Sequence, residues 1–136
     1  MLKLIIGVKG TGKTKELITL CNKATDETNG CVVCLEKGNK LLHEITYRTR
    51  LVDTDEYGIE SAGPLYGLVA GMYASNHDIT HFFIDSALKI CKNDVEKFAE
   101  FVRHTADLAQ KNSLEFVITA SIPAEELPED LIGYTK

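Results

Sequence analysis

The chain has 136 residues, which fits one domain with one core, and its 44% hydrophobic and 26% charged content is that of an ordinary globular protein. A net charge of −5 gives no electrostatic footprint for nucleic acid. No apolar run approaches the ~20 residues a membrane span needs, and Met1–Gly7 is too short for a signal peptide, so a cytoplasmic protein is expected.

In chain order, Leu2–Ile6 is a short apolar run that stops at Gly7, as a buried strand would. From Thr14 onward Leu17, Ile18, Cys21 and Ala24 recur at helical spacing, and Asn29-Gly30 reads as the C-cap pair. Cys31–Leu35 is a second apolar run, closed by Lys37-Gly38-Asn39. Its Cys31-Val32-Val33-Cys34 has C-x-x-C spacing, but residues three apart on a strand face opposite sides. All four cysteines, at 21, 31, 34 and 91, are therefore expected to be small buried thiols. Glu44–Asp53 alternates in polarity and predicts a half-exposed strand, with Arg48 and Arg50 on its polar side.

Ser61-Ala62-Gly63-Pro64 opens a helix that carries Leu65, Leu68, Val69 and Met72 along one stripe. His81–Ile84 is a further apolar run ending in Asp85. Asn93 with Glu96 predicts a capping box for a helix whose stripe is Val95, Phe98, Ala99, Val102, Ala106 and Ala109. Leu114–Ala120 is the last clear strand; Ile122–Leu127 fits one or two helical turns, and Leu131–Lys136 a fraying end or short strand. Strands separated by helices predict one α/β domain, a mainly parallel sheet with helices on both faces.

The residues with the strongest chemical signal are Gly7-Val8-Lys9-Gly10-Thr11-Gly12-Lys13-Thr14, which match G-x-x-x-x-G-K-S/T at every fixed position. The glycines let the backbone curl until its N–H groups converge on phosphate, and the following helix adds free N–H groups and its positive dipole end. Lys13 is the point charge for the β- and γ-phosphates, and the Thr14 hydroxyl is placed for Mg²⁺. The expected binding set runs from Gly7 to Lys15, with Lys9 either touching the γ-phosphate or pointing to water.

With strand before and helix after, the motif resembles the P-loop NTPase superfamily. The resemblance implies its three-layer α/β/α fold, binding of ATP with Mg²⁺, and a metal-side carboxylate at Asp85, since Phe82-Phe83-Ile84-Asp85 resembles the second conserved element of that superfamily. It further implies that Leu114–Ala120 lies between the loop strand and the Asp85 strand, with Thr119 or Ser121 as γ-phosphate sensor; Ser121 is equally suited to cap a helix ahead of Pro123. The catalytic glutamate of that branch would follow Asp85, but position 86 is serine, so slow hydrolysis is expected. Asp55 or Glu56, in an acidic turn after the alternating run, is a candidate to replace it; a solvated turn is the favoured reading.

The guanine-reading N/T-K-x-D element is absent, so ATP is preferred over GTP. Gly12–Leu17 is distantly similar to the loop of zinc-containing thymidine kinases, without their Cys pairs. Over Gly7–Ile18, Cys31–Gly38, Leu51–Gly58 and Phe83–Ile90 the chain resembles short stand-alone P-loop proteins that often carry a twitching-motility ATPase label; the likeness is to the proteins, not to a motor. A nucleotide switch or adaptor for a protein partner is expected ahead of a small ATPase or kinase. In a homo-oligomer Arg48 or Arg50 could act as a finger in trans. His43, His77, His81 and His104 have no ligand spacing.

Overall fold

A computed structural model describes residues 1–136. Five strands, β1 (Leu2–Gly7), β2 (Cys31–Glu36), β3 (Arg50–Asp53), β4 (Ile79–Ile84) and β5 (Glu115–Ser121), form one sheet in the order β1-β5-β4-β2-β3 with every pairing parallel. The helices are α1 (Lys13–Glu27), α2 (Ala62–Ser75), the single turn α3 (Ala87–Ile90) and α4 (Val95–Asn112). Short 3-10 segments cover Thr54–Tyr57, Ala124–Glu126 and Glu129–Thr135. Because all strands run the same way, their C-terminal ends share one edge, where open α/β sheets bind ligands.

The two faces are unequally covered. A 27-residue cluster packs α2, α3 and α4 on one side, with Phe82, Phe98, Phe101 and Phe116 fully buried. On the other, α1 and Leu41 and Ile45 from the segment after β2 cover Val32, Cys34 and Phe83 in a cluster of only seven. The result is a three-layer α/β/α arrangement. β5 separates β1 from β4, as the resemblance implied.

Local chemistry moved several expected boundaries. The alternating run from Glu44 is a strand only from Arg50. Asn22 on α1 donates from Nδ2 to the Glu44 carbonyl (2.9 Å) and accepts from the Thr46 N–H (3.0 Å), so this stretch turns over α1 instead of extending along the sheet. Arg48 pairs with Asp26 on α1. The expected box at Asn93 and Glu96 is instead a cap by Asp94, which accepts from the Lys97 N–H at 3.1 Å. Asn93 itself is left-handed (φ 60) and closes α3 through its N–H to the Leu88 carbonyl.

Gly30 does not terminate α1, whose last position is followed by extended Thr28. Its role is close approach: a Cβ there would lie 2.3 Å from the Asp78 carbonyl oxygen. Cys21, Cys34 and Cys91 are buried, whereas Cys31, at the start of β2, is exposed. Leu131–Thr135 is neither fraying nor strand, but part of the 3-10 segment that lies against β1, with Leu131 fully buried.

Gly63, Gly67 and Gly71 lie on the exposed face of α2 with open space at each Cβ position. Gly67→Ala is expected to raise stability by about 0.5–1 kcal/mol through the lost backbone entropy of the unfolded chain. Gly30→Ala is expected to lower it by about 1–3 kcal/mol, since the carbonyl must move. Urea denaturation of the two variants checks both signs.

Candidate functional site

At the C-terminal edge of β1 the chain turns through Gly7–Gly12 into α1. Gly7 (φ 149), Gly10 (φ 85) and Gly12 (φ 83) all adopt backbone that L side chains rarely reach, and a Cβ on Gly7 would lie 2.9 Å from the Thr11 hydroxyl. Gly12 occupies the N-cap of α1 and offers no side-chain cap, so first-turn N–H groups and the positive dipole end face outward. Lys13 folds back over the loop, its Nζ donating to the Val8 carbonyl at 2.8 Å and to the Thr11 hydroxyl at 3.4 Å.

One position later, Thr14 points at the tip of β4. Its hydroxyl lies 3.1 and 3.2 Å from the two oxygens of Asp85. Asp85 is 8% exposed, so its carboxylate needs partners, and three hydroxyls supply them. Thr119, 1% exposed at the end of β5, donates to Oδ1 at 2.7 Å and accepts from the Ser86 N–H at 2.7 Å. Ser86 Oγ reaches Oδ2 at 3.4 Å. Thus α1, β4 and β5 meet on one buried carboxylate.

Above it opens a cleft of about 480 Å³. Lys9, Gly10, Gly12, Lys13, Thr14, Lys15, Ser86, Thr119 and Ser121 all line it, which brings together most of the residues singled out in the sequence. Ser121 faces the cleft and caps nothing; the following 3-10 segment begins after Pro123. Lys40, Leu88, Lys89 and Asn93 complete the lining. Five of its thirteen residues are lysines and none is acidic, so its charge is complementary to that of an anion.

Asp55 and Glu56 are not part of it. They follow β3, at the far edge of the sheet, four strand spacings or about 19 Å from β1. Asp55 pairs with Lys37 at 2.7 Å, and Asp53 accepts from the N–H groups of Asp55 (2.9 Å) and Gly38 (2.8 Å), which makes this a tied turn. The direction of β3 was as expected; the strand order puts these acids out of reach.

The sequence reading missed Glu36, which ends β2 beside Asp85. It is 2% exposed and accepts from the N–H groups of Lys40 (3.1 Å) and Leu41 (3.0 Å), holding the turn that brings Lys40 to the cleft. Burial pushes its pKa above the ordinary glutamate value, and the charges of Asp85 and Asp53 add to that. Leu35-Glu36 repeats the apolar-run-then-acid pattern of Ile84-Asp85, so a signal existed. Lys40, Lys89 and Asn93 had none, because only tertiary structure places them.

None of the four thiols lines the cleft. Cys34 is held protonated by its contact with Cys21 and by burial, and burial raises Cys91 to about 11. No group of three or more His, Cys, Asp or Glu side chains is placed to hold a metal, so any cation here would rely on Thr14, Asp85 and a ligand's own oxygens. No protein-family model matches the sequence, and no curated protein matches it.

Thr119→Val is expected to lower stability by about 1–3 kcal/mol, because it leaves the Ser86 N–H without its acceptor and Asp85 short of a donor; equilibrium unfolding measures it. For Glu36 the folded-state pKa is raised, so the native state holds the proton more tightly. Its contribution to stability falls as pH rises from the ordinary glutamate range, ~4.3, through the raised value. The stability of the protein relative to Glu36→Gln should therefore decline over that window in urea titrations; a pH-independent difference would contradict it.

Proposed function

We propose that this chain belongs to the P-loop NTPases, binds ATP with Mg²⁺ in the lysine-lined cleft, and acts as a nucleotide-dependent switch or adaptor with slow or partner-triggered hydrolysis. The observation that carries this reading is the meeting of the Gly7–Thr14 loop with Asp85: the hydroxyl that ends the motif lies 3.1 Å from the acid at the tip of β4. Loop N–H groups and Lys13 would receive the β- and γ-phosphates, and Lys9 and Lys15 flank them.

A hard cation such as Mg²⁺ takes oxygen ligands and commonly keeps only one or two from protein, the rest coming from phosphates and water. Thr14 and Asp85 fit that donor set and would hold it. Bound there, Mg²⁺ would neutralise charge on the phosphate oxygens. Thr119 keeps the Asp85 carboxylate aimed, and the loop glycines exclude side chains from the phosphate path.

Slow turnover follows from what lines the cleft. A water nucleophile needs a base, and no carboxylate stands free there: Ser86 follows Asp85, and both Glu36 oxygens are engaged with backbone. The switch reading draws on the tied turns. Lys40 reaches the cleft from a turn held by Glu36, and that turn is joined through Gly38 and Lys37 to Asp53 and Asp55. A shift of Lys40 onto bound anion would pass to Thr54–Gly58, where Tyr57 is 59% exposed and available to a protein partner.

Calorimetric titration with ATP, ADP and GTP in Mg²⁺ tests binding, and Lys13→Ala should weaken ATP at least about tenfold by removing a charged hydrogen-bond donor. Phosphate release followed over hours should stay well below ~1 s⁻¹, the lower end for ordinary enzymes; faster unaided release would favour a small ATPase or kinase.

A further inference from the structure

The basic side chains of this protein are unevenly employed. Seven of its fifteen lysines and arginines stand in ion pairs: Lys3, Lys23, Lys37, Arg48, Lys97, Arg103 and Lys111. Of the eight that do not, five line the one cleft at the sheet edge. The chain as a whole is acidic, at −5, so this concentration is not a background of positive surface.

Three of the five, Lys9, Lys13 and Lys15, come from the glycine loop and the start of α1. With Mg²⁺ offsetting half the charge of a fully ionised triphosphate, these three already exceed what remains. Lys40 and Lys89 are in excess, and they arrive from different elements. Lys89 lies on α3, beyond the tip of β4, with Asn93 one turn further along and Ser86 between them and Asp85.

The backbone of that corner is unusual in the same place. Only four non-glycine residues in the chain have positive φ, and three of them, Ser86 (57), Lys92 (57) and Asn93 (60), bracket α3. Each left-handed residue costs on the order of 1 kcal/mol. The fourth, Ser113, ends α4 as a helix C-cap. Together the three turns confine α3 to four residues and leave Lys89 and Asn93 on the cleft wall.

We infer that Lys89 and Asn93 form a second anion subsite beside the triphosphate, which takes a phosphate group of a separate small ligand. Lys89 supplies the charge, Asn93 an amide donor, and Lys40 closes the cleft from the opposite turn. The subsite rests on the nucleotide reading above, and it assigns the cleft a co-ligand of defined chemistry: a phosphomonoester or orthophosphate bound together with the nucleotide.

The test is calorimetric titration of orthophosphate, and separately of glycerol phosphate, into protein saturated with Mg²⁺ and the β,γ-imido analogue of ATP. One equivalent of either is expected to bind. Binding of orthophosphate identifies a free anion as sufficient, and binding of the ester alone identifies an organic phosphate; both support the subsite. Lys89→Gln and Asn93→Gly, the latter keeping the left-handed backbone, should each weaken that second event, Lys89→Gln at least about tenfold. Lys136→Gln, with the same charge change far from the cleft, should not. Nucleotide binding with no second event, or a second event equally affected by Lys136→Gln, overturns the subsite alone. If neither ATP nor its analogue binds, the nucleotide reading fails and the subsite with it.

Discussion

A carboxylate buried at a sheet edge must be surrounded by donors, and around Asp85 those donors come from three different elements. Thr14 is contributed by the first turn of α1, Thr119 by the tip of β5 and Ser86 by the chain immediately after β4. Each arrives only if β5 lies between β1 and β4 and if all three strands end at the same level, which the parallel register ensures. The same arrangement fixes where the glycine loop sits, because the loop is the short path from β1 to Thr14. The buried acid thus anchors the fold at this edge from beneath the floor of the cleft, where Thr14, Ser86 and Thr119 line it.

Charge is layered about that floor. Asp85, Glu36 and Asp53 stand at three adjacent strand tips, each satisfied by hydroxyls or backbone N–H groups and not by lysine. The lysines lie above, with no acid among the residues lining the cleft. Hydrogen bonding without neutralisation leaves the acids free to attract a cation, while the lysines attract an anion. A metal–phosphate complex would satisfy both layers at once, which is why the proposed nucleotide reading accounts for more of the edge than a plain anion site would.

Much of this was legible in the sequence for physical reasons. Gly7–Thr14 encodes its conformation directly, since only glycine suits the left-handed positions. Largely apolar runs of four to seven residues marked β1, β2, β4 and β5, because a parallel strand covered on both faces has no polar side. What failed was pattern overruled by a particular hydrogen bond. Asn22 bends the Glu44–Thr46 stretch away from the sheet, and left-handed Asn93 shifts the helix cap to Asp94. For Asp55 and Glu56 a cleft role stayed open beside the favoured solvated turn, because local pattern gives strand direction but not strand order. Glu36 was visible as a strand-tip acid and passed over; Lys40 and Lys89 were invisible, as nothing local distinguishes a lysine that lines a cleft from one in solvent.

The central claim is that the glycine loop and Asp85 act as one binding site, and amide NMR reports on it most directly. On addition of Mg²⁺ and ATP, the resonances of Gly10–Lys15, Ser86 and Thr119 should shift together with a common dissociation constant, and Asp85→Asn should abolish the Mg²⁺-dependent part of the shifts at Ser86 and Thr119. Shifts confined to other parts of the molecule, or changes at the loop without any at Ser86 and Thr119, would contradict it.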